Sequence, residues 1–211
     1  MSYDYIFKII FVGNTYCGKT AIAERITFDR HIPVHSNTIG VDFSSLITTI
    51  NSTDRIKIHI WDTAGLEQFA SIITTYYRGI AGAVIVFDIA NRRSFNKVMY
   101  WYNEIKKNTD NPDLKILLVG NKLDLERKRE VLVDEAMIVA KNYNMIYCEM
   151  SAKTGERVHQ GFEILIKQIY QDMDKENLGI GIRPHFLKEE SDKLKLLNKP
   201  ETTNNCCCTI S

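Results

Sequence analysis

No long hydrophobic run interrupts this 211-residue chain. Its apolar start, residues 5–12 (YIFKIIFV), is far shorter than the ~20 residues that span a bilayer. It also lacks the basic beginning and small-residue cleavage site of a secretion signal. The body is therefore expected to be soluble and intracellular. Charge of one sign is missing too. The 27 basic residues nearly cancel the 26 acidic ones, leaving +1, so composition offers no footprint for nucleic acid. Cysteine is scarce, at five residues. Cys17 and Cys148 are isolated and read as small buried residues rather than reactive thiols. Cys206, Cys207 and Cys208 are consecutive near the end. They lack the spacing of a zinc site, and a disulfide framework does not suit a cytosolic chain.

What is present is a regular alternation. Apolar runs at 5–12, 82–88, 115–120 and 145–149 read as strands, and 40–50 with 55–62 reads as a hairpin around Asn51-Ser52-Thr53-Asp54. Helical patterns near 68–78, 92–109, 131–143 and 156–173 separate or follow them. Strands alternating with helices predict an α/β fold, with a six-stranded, mostly parallel sheet covered by helices on both faces. Ligands then bind at the strands' carboxyl ends. After about residue 174 the composition turns polar, with Gly179, Gly181, Pro184 and Pro200 and no sustained period. The expected organisation is one domain over 1–174 and a flexible tail over 175–211, with a short transient helix near 186–197.

Four loops at predicted strand ends carry chemistry. Gly13-Asn14-Thr15-Tyr16-Cys17-Gly18-Lys19-Thr20 follows the first strand and matches G-x-x-x-x-G-K-[ST]. Glycines let successive backbone N–H groups curl towards a phosphate, and the following helix N-terminus adds a favourable field. Lys19 would neutralise β- and γ-phosphate oxygens, and the Thr20 hydroxyl would ligate Mg²⁺. Asn121-Lys122-Leu123-Asp124 follows the strand at 115–120. An aspartate there can accept both the ring N–H and the exocyclic amine of guanine, a donor pair adenine lacks, and a site built on those bonds rejects the other base. Ser151-Ala152-Lys153 follows the last strand, and Asp62-Thr63-Ala64-Gly65 the second hairpin strand.

Over roughly residues 5–173 the chain resembles a Rab-type member of the Ras superfamily of small GTPases. Thr38-Ile39-Gly40-Val41-Asp42-Phe43, Lys57-Ile58-His59-Ile60-Trp61-Asp62 and Tyr76-Tyr77-Arg78-Gly79 carry the Rab-like part. The resemblance implies a P-loop GTPase fold that binds GTP or GDP with Mg²⁺. Thr38 would ligate the metal and sense the γ-phosphate with Gly65, and Asp62 would support the metal through water. Asn121, Lys122, Asp124, Ser151, Ala152 and Lys153 would read guanine. Ile39, Gly40, Val41, Asp42, Phe43, Trp61 and Tyr76 would dock effectors, with Phe43, Trp61 and Tyr76 as an exposed aromatic triad. The implied partners are effectors, an exchange factor, an activating protein and a GDP-dissociation inhibitor or escort protein, around a monomeric G domain.

The chain departs from this family at several points. Leu66 stands where the superfamily keeps the glutamine that orients the attacking water. Leucine can neither accept from that water nor donate to the phosphoryl oxygens. Slow intrinsic hydrolysis is expected, with GTP binding intact. Activating proteins of the Rab-specific class resemble a supplier of both an arginine and a glutamine, which would leave assisted turnover partly intact. A persistently GTP-loaded scaffold is the alternative. Gln68, two positions on, faces elsewhere if the segment is helical. Tyr16 is bulky for its loop position. His31 aligns with an aromatic that packs on guanine, and His35 with a tyrosine that closes over the phosphates. The terminal Cys-Cys-Cys-Thr-Ile-Ser resembles a prenylation signal. It reads either as paired prenylation on Cys207 and Cys208, or as farnesylation of Cys208 with upstream cysteines such as Cys206 palmitoylated. Both routes supply two lipids for a stable anchor on a cytoplasmic membrane face. The tail's basic and acidic residues offset one another, so no polybasic patch assists.

Overall fold

The structure, a computed structural model, describes residues 3–31, 40–63 and 74–176. Expectations resting on His35, Thr38, Ile39, Ala64, Gly65, Leu66, Gln68 and Cys206, Cys207 and Cys208 lie outside the described residues, as do most of the helix expected near 68–78 and the tail helix. The elements run β1 (Tyr5–Val12), α1 (Lys19–Phe28), β2 (Val41–Ile50), β3 (Asp54–Thr63), β4 (Gly82–Asp88), α2 (Arg92–Asn96), α3 (Val98–Asn108), β5 (Lys115–Asn121), α4 (Val133–Asn142), β6 (Ile146–Glu149) and α5 (Val158–Glu176). Short 3₁₀ turns occupy Thr74–Tyr77 and Leu123–Lys128.

The six strands form one sheet in the order β2-β3-β1-β4-β5-β6. Only β2 runs antiparallel, along β3 from Val41 opposite Thr63 to Ile50 opposite Asp54. The remaining neighbours are parallel. β4 is buried along its whole length, as a central parallel strand covered on both faces should be. The hairpin strand β3 instead alternates buried isoleucines with half-exposed Lys57, His59 and Trp61.

Two apolar layers hold helices to the sheet. On one face, Ile22 and Ile26 of α1 and Phe162 and Ile166 of α5 pack with Phe7, Ile9 and Phe11. On the other, Trp101 and Ile105 of α3 and Ala136 and Ala140 of α4 pack with Ile10, Ile85, Phe87 and Leu118. The helix expected over 92–109 is two helices. Asn91 caps the first by accepting from the N–H groups of Arg93 and Ser94, and Lys97, at φ −93° and ψ −2°, separates it from α3.

Helix α4 begins without a capping side chain. Leu132 occupies the N-cap in extended conformation (φ −72°, ψ 144°) and is 65 % exposed. Only the reciprocal half of a capping box exists, with the Leu132 N–H donating to Glu135 Oε1 at 2.6 Å. Leu132→Ser should restore the missing acceptor and raise unfolding free energy by about 1 kcal/mol. The check is a urea midpoint that moves up at constant m. An unmoved midpoint would show that the first turn is already satisfied.

Candidate nucleotide site

The loop after β1 is shaped by two glycines that no other residue could replace. Gly13 has φ +141°, and a Cβ there would lie 2.2 Å from the Val86 carbonyl oxygen. Gly18 has φ +95°, and its Cβ would meet Asn121 Nδ2 at 2.2 Å. Between them Tyr16 also takes a left-handed φ of 65°, and its ring is 71 % exposed. The bulky side chain therefore points away from the loop's interior. Cys17 is buried, and burial pushes its thiol pKa up. Cys148 is half-buried with its thiol raised for the same reason. Both fit the packing role expected of them.

Lys19 opens α1 and is buried, with Nζ donating to the carbonyls of Gly13 and Asn14, each at 3.0 Å. Its ammonium therefore lies across the loop's own backbone, where phosphate oxygens would be met. Asn14 is held from another side by the Trp101 indole, which donates to its Oδ1 at 3.0 Å. Thr20 donates its hydroxyl to Asp62 Oδ2, and both residues line a cavity of about 240 Å³ that also touches Glu24, Phe28, Asp42 and Phe43. A hydroxyl and a carboxylate converging beside a phosphate loop are hard oxygen donors of the kind Mg²⁺ takes while keeping waters and phosphate oxygens. The residues present fit that ion.

The base-reading loops meet the phosphate loop through one side chain. Asn121, at the end of β5, donates from Nδ2 to the Cys17 carbonyl at 2.8 Å and accepts at Oδ1 from the Ala152 N–H at 3.1 Å. These two bonds make it a brace between the loops. Lys122 takes φ 68°, and its ammonium pairs with Asp88 Oδ2 at 2.7 Å. Asp124 accepts from the Ser151 hydroxyl at 2.6 Å, and Lys153 Nζ lies 3.7 Å from its other oxygen. Those contacts fix the orientation of the carboxylate proposed to receive guanine's donor pair. His31 is half-buried just past α1.

Three supporting residues were missed. Arg25 of α1 donates to the carbonyls of Ala152 at 3.2 Å and Lys153 at 3.0 Å. These contacts span more than 120 positions in sequence and carry no local signal. Trp101 likewise reaches Asn14 from 87 positions away, with no local signal. Asp88 had a usable cue, because a carboxylate ending an otherwise apolar, buried strand needs a charged partner.

On the outer sheet face, Phe43 lies opposite Trp61 in register, with ring centroids 5.1 Å apart, and Trp61 meets Tyr76 at 5.2 Å. Phe43 is 47 % exposed, while Trp61 and Tyr76 also pack against the core. The three aromatics form one continuous file, with Gly40, Val41 and Asp42 leading into it. His59 extends it, 5.1 Å from Phe43, and Lys8 sits over Trp61.

The architecture and these loops define a P-loop nucleotide-binding domain of the α/β class, with a base pocket attached to its phosphate cradle. The Ras family model matches residues 8–171, and the chain belongs to the Ras family of small GTPases. Members of that family bind GTP and GDP, generally with Mg²⁺, and hydrolyse GTP.

Arg25→Ala removes two bonds to the 151–153 loop. It should speed release of bound guanine nucleotide by roughly tenfold without changing the preference for guanine over adenine. Stopped-flow release of a fluorescent GDP analogue gives the rate, and an unchanged rate would contradict the bracing role.

Burial, then the charges of Lys57 and Lys8, push the His59 pKa down from 6.5 to about 4. An unfolded chain takes up that proton near pH 6.5, whereas the folded protein resists until about 4. Stability is therefore unaffected above this window and falls as pH drops through it. In urea melts at stepped pH, His59→Gln should lose less stability than the parent between pH 6.5 and 4. Parallel curves for the two proteins would refute the assignment.

Proposed function

We propose that this protein is a Rab-like, lipid-anchored GTP switch with slow intrinsic hydrolysis, recruiting effectors to a cytoplasmic membrane face in vesicle traffic. The observation that carries the Rab-like reading is the file Phe43–Trp61–Tyr76. It couples an exposed aromatic on β2 to a 3₁₀ turn beyond β3. Such a file gives a partner a desolvated aromatic anchor.

In this reading the amides of residues 13–18 and the Lys19 ammonium hold the phosphates, while Asp124, steadied by Ser151 and Lys153, receives the guanine edge. Mg²⁺, when bound, would be held by Thr20 and Thr38, with Asp62 acting through water, and would neutralise phosphate charge. Thr38 and Gly65 report the γ-phosphate, and loss of that contact releases the segments bearing the effector residues. Leu66 offers no group to place water in line with the phosphorus, so the off-step is slow while binding is intact. Cys207 and Cys208, with Cys206 as the alternative upstream site, carry the lipids. Exchange factor, activating protein and escort protein follow from the same reading, with a cytosolic pool held by the escort.

Single-turnover hydrolysis of loaded GTP tests the account of Leu66. Leu66→Gln should raise the intrinsic rate at least roughly tenfold at unchanged GTP affinity. If the parent chain hydrolyses GTP as fast as the glutamine variant, the account is wrong. Addition of a Rab-class activating protein separates a switch, whose turnover rises, from a persistently loaded scaffold, whose turnover does not.

A further inference from the structure

Helix α4 presents an outward face that the nucleotide site does not explain. Met137 is 52 % and Ile138 59 % exposed, so two large apolar side chains sit side by side at the middle of a solvent-facing helix. Asp134 lies one turn before them and Lys141 one turn after, both exposed. Among the described residues neither charge has an ion-pair partner within the protein. At 3.6 residues per turn, all four side chains point within about 50° of one direction. The opposite side of the helix, through Ala136 and Ala140, is buried against the sheet layer.

The order of the four residues is self-complementary. The midpoint between Asp134 and Lys141 is also the midpoint between Met137 and Ile138. When a second copy of this helix is laid antiparallel about a two-fold axis through that point, each Asp134 faces the other copy's Lys141. Each Met137 likewise faces the other copy's Ile138. One contact pattern then occurs twice, as an isologous interface requires, with a desolvated apolar centre between two opposite-charge pairs. The charges alone also suit the helix dipole, negative in the first turn and positive in the last. The dipole gives no reason for the exposed Met137 and Ile138 between them. We infer that α4 is a self-association surface, on which a second copy of this chain docks antiparallel about residues 137 and 138. The expected monomeric G domain is then the dilute form. The patch is small beside standard interfaces, which makes the dimer weak and concentration-dependent.

Sedimentation equilibrium of the full chain, up to about 1 mM, measures the association directly. The parent should pass from monomer to dimer across the series. Asp134→Lys alone, or Lys141→Asp alone, should lower the association constant roughly tenfold by opposing like charges. The double exchange Asp134→Lys with Lys141→Asp should restore it, and Ile138→Asp should abolish it. Circular dichroism melts confirm that each variant is folded. These surface positions are remote from the described nucleotide contacts, so a fluorescent GDP analogue should still bind each one. A parent that stays monomeric throughout overturns the inference. So does a dimer indifferent to the single exchanges, or a double exchange that fails to rescue, because either places the contact elsewhere or with a different partner.

Discussion

The amide of Asn121 is the point on which the site depends. One side chain closes the phosphate loop by donating to the Cys17 carbonyl and fixes the base loop by accepting from the Ala152 N–H. It lies at the end of β5, so its position is set by a strand buried in both apolar layers. Any residue larger than glycine at position 18 would collide with it. The distance between the phosphate cradle and the base pocket is therefore set by the sheet. Among the described residues, the phosphate loop and the base loop are thus tied to each other by the protein's own bonds.

Around this brace the other contacts divide by loop. Lys19 and Trp101 hold the phosphate loop from inside and from α3. Arg25 holds the base loop from α1, and Lys122 is tied to β4 through Asp88. Helix α1 thus contributes at both ends, through Lys19 at its start and Arg25 near its end, and α3 through Trp101 in its first turn. The outward faces are free for other work. On β2–β3 that face carries the aromatic file, and on α4 it carries the apolar pair flanked by Asp134 and Lys141.

Much of this was legible in the residues. Strand positions followed from short apolar runs, and the single antiparallel strand followed from a hairpin turn at 51–54. The phosphate loop and the guanine loop followed from residue types whose chemistry permits few alternatives. The break at Lys97 was not legible, because the helical period of the residues runs on across it without interruption. Asn121 as brace was equally hidden. Its partners are backbone groups at Cys17 and Ala152, and backbone groups leave no trace in residue identity. Arg25 escaped for the same reason. The start of α4 lacks the serine or threonine that would signal a helix N-terminus, because Leu132 occupies the cap, so the apolar period alone extends the predicted helix to 131.

The account stands or falls on a site built for guanine rather than for purine nucleotides at large. Competition binding with Mg²⁺ present tests that directly. A fluorescent GTP analogue is bound to the full chain and challenged with rising GTP or ATP. Displacement by stoichiometric GTP, with no displacement by a thousandfold excess (~10³) of ATP, is the predicted result, since a carboxylate left unpaired against adenine forfeits factors of about 10⁴ or more. Displacement by ATP at concentrations similar to GTP would contradict the assignment of Asp124 and, with it, the reading of this protein as a GTP switch.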